Sequence, residues 1–365
     1  MNLLTASMRA AVAKTAAIAF FSFSATLALA QNSIFPLLPS SVSTIPANGD
    51  VNPYGVAFVP KNLPAGGGLQ PGDILVSNFN NIENLQGTGT TILRVNGNGV
   101  TSTFFTSNQG GLTAALGVLS NGLVLVGNLP TADGTSATVQ PGRLAIIDRN
   151  GNFLGTFGTL ATVNGPWGMA IYDTGNGVSG TATVFLSNVL NGTVSRFTMT
   201  YNAAEVTATV TILADGFNHR LDPAALVLGP SGLAYVAATD TLYVASSADN
   251  AVYEITRATQ PHSEPTHGTL FIQDFTHLHG PIDIAILQNG HFVIANSDGS
   301  NVDPNQPSEL VEYTSTGQFV SQMSVDPNNG GAFGLAVNDL TSTVIRLAAV
   351  DDNANSLNMW TTIVH

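Results

Sequence analysis

The sequence predicts an all-β protein folded as a six-bladed β-propeller with four-stranded blades, and three observations predict it. One short phrase recurs six times, at intervals of 51 to 64 residues. Each copy is followed by short runs rich in Val, Ile, Thr, Phe and Tyr, separated by Gly, Asn and Asp turns, a pattern of strands rather than helices. The residues left over at the two ends of the chain add up to one further blade length. Self-similarity of this kind marks a repeat architecture, and four strands per unit arranged in a ring make a propeller.

The phrase is a turn, often Gly-Pro or Asn-Pro, then a small residue and an apolar pair. It reads Asn52-Pro-Tyr-Gly-Val-Ala57, Gly165-Pro-Trp-Gly-Met-Ala170, Gly229-Pro-Ser-Gly-Leu-Ala234, Gly280-Pro-Ile-Asp-Ile-Ala285 and Gly331-Ala-Phe-Gly-Leu-Ala336. Aligning Leu119–Asn128 with Leu287–Asn296 reveals a degenerate copy with Ala115 at the glycine position. The anchors are therefore residues 55, 115, 168, 232, 283 and 334. A second strand follows each anchor and ends in Asn78, Asn128, Asn188, Ser246, Asn296 or Asp351. Third strands follow, such as Ile92–Val95 and Val252–Ile255, and fourth strands in five repeats, such as Thr101–Phe105 and Phe319–Met323. The last repeat has room for only three. Its fourth is expected from the other end of the chain, over Ser41–Ile45, which closes the ring.

The phrase resembles that of the NHL-repeat-like six-bladed propellers: Pro-x-Gly-Ile-Ala, a strand ending Tyr-Val-Ala-Asp, an Asn-rich turn and a third strand. The fourth copy fits best, with Pro230–Ala234, Leu242–Ser246, Asp249-Asn250 and Val252–Ile255. The resemblance spans residues 52–365 and specifies blades, not chemistry. The chain departs from it in carrying Asn or Ser instead of Asp after five of the six second strands.

Ahead of the repeats, Arg9 and Lys14 precede an apolar run from Thr15 to Ala30 that ends Ala28-Leu29-Ala30. This is the pattern of a signal peptide cleaved after Ala30, leaving residues 31–365 as a single propeller domain in the periplasm or outside the cell. Beyond residue 30 there are 8 basic and 23 acidic residues, a formal charge of −15, with Lys61 the only lysine. Such a surface repels a phosphate backbone, so nucleic acid is excluded as a partner. No later run is long and apolar enough to span a bilayer. There is no cysteine, so neither disulfides nor thiolate chemistry contribute. A monomer is expected, with a polar ligand, a glycan or a protein as its partner.

In a propeller the incoming linker of each blade and the loop between its second and third strands share one rim, here called the upper face, and function concentrates there. The expected ligand-binding set is Tyr54, Asn78, Asn128, Trp167, Asn188, Asn296 and Phe333, amides to hydrogen-bond a ligand and rings to stack on it. Asparagines that merely serve the local backbone are the competing reading. Three connections, Asn78–Thr90, Asn128–Arg143 and Asn296–Glu309, are long and nearly uncharged and would wall this face. The propeller enzymes that the chain resembles imply a second role, a lyase or lactonase-type hydrolase assisted by a divalent metal. Its calcium or magnesium would be held by Asn128, Asn188 and Asp351, with His279 as acid or base. The segment Asp298–Asp303 carries alternating oxygen-bearing side chains but lacks the glycine and terminal glutamate of a calcium loop.

Overall fold

The structure is a computed structural model that describes residues 33–35, 38–202, 205–297 and 299–364. The expected signal peptide lies outside these residues, as does Asp298. Among the described residues no helix is long and apolar enough to cross a membrane.

The chain is a six-bladed β-propeller. Strand β1 (Ser40–Ser43) precedes blade one, which comprises β2 (Val51–Phe58), β3 (Ile74–Asn80), β4 (Thr91–Val95) and β5 (Thr101–Thr106). Blade two is β6 (Leu112–Val118), β7 (Val124–Asn128), β8 (Arg143–Ile147) and β9 (Phe153–Phe157), and blade three is β10 (Pro166–Asp173), β11 (Gly180–Asn188), β12 (Thr193–Tyr201) and β13 (Val206–Ala214). A hairpin of β14 (Arg220–Asp222) and β15 (Leu226–Leu228) then interrupts the repeat. Blade four is β16 (Pro230–Val236), β17 (Thr241–Ser246), β18 (Ala251–Thr256) and β19 (Thr269–Gln273), and blade five is β20 (Pro281–Ile286), β21 (Phe292–Asn296), β22 (Glu309–Tyr313) and β23 (Phe319–Ser324). Blade six has β24 (Ala332–Asp339), β25 (Val344–Asp351) and β26 (Ser356–Ile363), and β1 supplies its outer strand, in the order β1-β26-β25-β24. The closing strand thus begins and ends slightly earlier than expected. It pairs antiparallel with β26 from Ser40 opposite Met359 to Ser43 opposite Ser356.

The recurrent phrase has a structural cause. In all six blades the register of the innermost strand slips at this phrase, between Pro53 and Val56, Leu112 and Leu116, Pro166 and Met169, Pro230 and Leu233, Pro281 and Asp283, and Ala332 and Leu335. These are β-bulges, where proline is tolerated because no ladder hydrogen bond is required of it. The bulge brings each anchor against its neighbour. A Cβ on Gly55 would lie 2.8 Å from the Thr113 carbonyl oxygen of blade two, and one on Gly334 would collide with that of Tyr54 in blade one. The degenerate copy obeys the same geometry with the space redistributed: Ala115 is accommodated because Gly127 opposite it has no side chain, where blades one and three have Ser77 and Ser187.

Both faces of the inner three strands are covered by adjacent blades, which explains their nearly continuous apolar runs. Six buried clusters follow the six blade junctions. Leu75 and Ile92 meet Leu116 and Val124 at the first, Leu125 meets Val184 and Phe197 at the second, and Phe185 meets Leu233 and Val244 at the third. Val252 meets Phe292 and Val311 at the fourth, Val293 meets Leu335 and Leu347 at the fifth, and Val350 and Leu357 meet Val56 and Val76 at the closure. Full burial of one such side chain contributes roughly 1.5–3 kcal/mol. The outer strands β5, β9 and β19 are largely exposed.

Candidate functional site

Hydroxyls near the channel link one blade to the next. Ser77 Oγ accepts the Gly55 N–H at 2.9 Å and donates to the Thr113 carbonyl at 2.8 Å. Thr113 Oγ1 donates to Pro166 O at 2.8 Å, Ser187 Oγ to Ser231 O at 2.6 Å, and Ser231 Oγ to Pro281 O at 2.9 Å. Asp283 continues the series into blade six by accepting the Leu335 N–H at 2.9 Å.

The asparagines at the ends of the second strands lie just above this ring, and all are buried. Each binds the linker entering its own blade. Asn78 Nδ2 donates to Thr44 O at 3.0 Å and Asn128 Nδ2 to Gly110 O at 3.0 Å. Asn188 accepts the Asn164 N–H at 3.0 Å, and Asn296 Nδ2 donates to His277 O at 2.7 Å. Asn128 Oδ1 also accepts the Arg143 N–H at 2.9 Å. In blade four, Ser246 takes a different part: its Oγ donates to Asp249 Oδ2 at 2.7 Å.

The aromatic residues converge on the channel mouth and meet each other. Tyr54 is stacked between Phe79, at 4.4 Å between ring centroids, and Phe333, at 4.0 Å, with Trp167 edge-on at 5.8 Å. Leu226 and Val227 of the β14–β15 hairpin join the same cluster, together with Leu129 and Ile282. The insertion between blades three and four is thus a roof over the mouth. Its first strand touches the short 3-10 turn Ser136–Thr138 in the long loop of blade two. That loop is joined to the one in blade one, Thr131 N–H donating to Gly87 O at 3.1 Å.

Beside this aromatic cluster a cavity of about 190 Å3 remains under the hairpin, bounded by Asn52, Tyr54, Val227, Ser297, Phe333 and Asp352. The Asp352 side chain is buried, and its Oδ1 has no hydrogen-bond partner. Burial, and then the charges of Asp351 and Asp326, push its carboxyl well above the ordinary range. Asp351, which accepts the Ala354 N–H at 3.0 Å, is raised as well, chiefly by burial. Burial and then the Asp352 charge raise the Tyr54 hydroxyl.

A separate group stands in blade five. His279 Nε2 lies 3.7 Å from Asp303 Oδ2, and one ligand atom from each of His279, Asp303 and Glu309 falls within 4.8 Å of the others. Asp303, the last residue of the oxygen-rich segment noted in the sequence, accepts the Asn305 N–H at 2.8 Å. Asp352 and Glu309 were not expected at a site. The signal for both was a charge asymmetry: after Arg257 the chain carries one arginine, Arg346, and no lysine, against eleven acidic residues.

No family model and no curated protein matches the chain. Solved structures do match at the level of fold. A gluconolactonase from Xanthomonas campestris superimposes with a TM-score of 0.55 at 11% identity, covering 91% of this chain and 99% of that one. Regucalcin from Agrobacterium tumefaciens, described as a calcium-binding protein, gives a TM-score of 0.52 at 12% identity over 90% and 97% of the two chains. A streptogramin B lyase gives 0.50 at 12% identity over 89% and 87%. At these identities the likeness defines a six-bladed propeller and leaves the role to the site itself.

Proposed function

We propose that this protein is an exported, NHL-like binding module whose upper face holds a small polar ligand in the cavity beneath the β14–β15 hairpin. The observation that carries this reading is Asp352 Oδ1, a buried carboxylate oxygen with no hydrogen-bond partner beside the cavity that it lines. A buried polar atom left unsatisfied costs about 1–3 kcal/mol, and a donor brought by a ligand offsets that cost. With Asn52, Ser297 and the Tyr54 hydroxyl nearby, the lining suits a ligand rich in donors, a primary amine or a polyol. The cavity is smaller than the roughly 300–1,000 Å3 typical of drug-sized ligands, so the ligand is a small molecule or one terminal unit of a glycan. The alternative drawn from the sequence, metal-assisted lyase or lactonase chemistry at the mouth, depends on Asn128 and Asn188, and both are engaged by backbone groups.

A thermal-shift screen of amines, amino sugars and polyols on the full chain tests the reading. At least one compound should raise the melting temperature, and Asp352→Asn should weaken it at least about tenfold, the cost of an unpaired charged or polar contact. Because the substitution also removes a carboxyl whose ionisation burial opposes, the variant without ligand should melt no lower than the wild type at alkaline pH. Ligand binding that persists unchanged in Asp352→Asn would place recognition elsewhere.

A further inference from the structure

Four side chains of blade five meet where the incoming linker touches the loop between β21 and β22. His279 ends the linker, Asn296 ends β21, Asp303 lies in the loop and Glu309 begins β22. We propose that His279, Asp303, Glu309 and the amide oxygen of Asn296 form a binding site for a divalent cation of the zinc type, which would pin this loop to the linker.

The imidazole and carboxylate ligand atoms lie within 4.8 Å of one another. A tetrahedral zinc with bonds of about 2.0–2.2 Å holds its ligands about 3.3–3.6 Å apart, so these side chains close in by about 1 Å to complete the shell. The independent observation is Asn296. It is fully buried, and its Oδ1 has no hydrogen-bond partner. Its Nδ2 donates to His277 O at 2.7 Å and Glu309 Oε1 at 2.9 Å. Both of those partners are acceptors, so the orientation of the amide is fixed and the atom left bare is the oxygen. A cation provides what a carbonyl oxygen buried without a donor requires.

The histidine supports the same assignment. His279 Nδ1 is 3.3 Å from Asn301 O, while Nε2 is 3.3 Å from Thr276 O and 3.7 Å from Asp303 Oδ2. A neutral imidazole has one N–H, so one of these nitrogens faces oxygen with a lone pair. If Nδ1–H donates to Asn301 O, the Nε2 lone pair is directed at the carboxylates. Histidines that bind metals are commonly oriented by such a backbone carbonyl. The absence of lysine and arginine between Arg257 and Arg346 leaves that span of chain without a permanently cationic side chain of its own to neutralise this charge. An imidazole nitrogen in the set favours zinc over calcium, which prefers six to eight oxygens. The loop that carries Asp303 also supplies Ser297 and Gly299 to the wall of the hairpin-roofed cavity, so the cation would stiffen that wall.

The test uses the full chain, stripped with chelator and titrated with zinc chloride by calorimetry, with the bound zinc counted by elemental analysis. A single equivalent should bind and raise the melting temperature. His279→Gln and Asp303→Asn should each weaken zinc at least about tenfold, while His262→Gln, in the loop between the third and fourth strands of blade four, should leave it unchanged. X-ray absorption on the wild-type zinc protein should report one imidazole nitrogen among oxygen ligands, and this result stands even if a variant fails to fold. No zinc uptake, unchanged affinity in a folded His279→Gln, preference for calcium, or a shell with several imidazoles would each overturn the proposal.

Discussion

Asp283 occupies the anchor position that glycine holds in blades one, three, four and six, and so brings a carboxyl to the wall of the channel. It accepts the N–H groups of Leu335 and Ile284, each at 2.9 Å, yet burial outweighs both and pushes its carboxyl up to about 7. The folded protein therefore keeps a proton that the unfolded chain releases near the ordinary value of 3.8. Where the native state binds more protons, stability falls as pH rises, here between about 4 and 7. At about 1.4 kcal/mol per unit, the loss is on the order of 4 kcal/mol at most. Asp351 and Asp352 are raised too and act in the same direction. Asp283→Asn keeps the shape and an acceptor while removing the titration. Urea midpoints measured from pH 4 to 8 should fall for the wild type and fall less steeply for the variant; equal slopes would mean that this carboxyl is not the source.

At the scale of the strand, the composite sixth blade is legible in the sequence because the count of residues demands it. The innermost strands were legible because proline, glycine and an apolar pair are what a bulge packed against its neighbour needs. The asparagines were legible as positions, but their use was not. Period and spacing place a side chain on the upper face without saying whether it turns outward to a ligand or across to a backbone carbonyl, as Asn78 does to Thr44. The hairpin escaped notice for a related reason: an insertion outside the repeat has no phrase to align with, and Leu226–Leu228 is too short a run to announce a strand. Without the hairpin, Tyr54 and Trp167 read as open platforms instead of the floor of a roofed cavity. Removing residues 31–43 takes away β1 together with the buried Ile34, whose N–H donates to Glu312 Oε2 at 3.1 Å, while sparing Thr44 and Asp50. Four paired positions at about 0.5–1.5 kcal/mol per hydrogen bond predict about 2–6 kcal/mol of the loss in chemical denaturation, to which the lost burial of Ile34 adds. Light scattering should also rise as the edge of β26 is uncovered. An unchanged midpoint would mean that the ring is held by its blade junctions alone.

For the molecule as a whole, the sixth blade joins residues far apart in the chain, with Ser41 Oγ donating to Asn358 Oδ1 at 2.5 Å across 317 positions. Pairings so distant slow folding, because a large loop must close before the contact forms. The same strand arrangement makes the order of the blades circular. Ser40 lies opposite Met359, and Ile363 ends the adjacent strand only four residues further on. A peptide bridge could join these two points, and the chain could then be opened at the exposed turn Asn96–Val100 between β4 and β5. Such a permutant should keep the circular dichroism and ligand response of the parent, with blade one now assembled from both termini. A permutant opened between Asn188 and Thr193 should do worse, because that cut falls among the bonds between Asn188, Thr193 and the linker. Which blade is stitched from two distant segments is therefore a matter of where the backbone is cut around a circle, and the channel has no first blade.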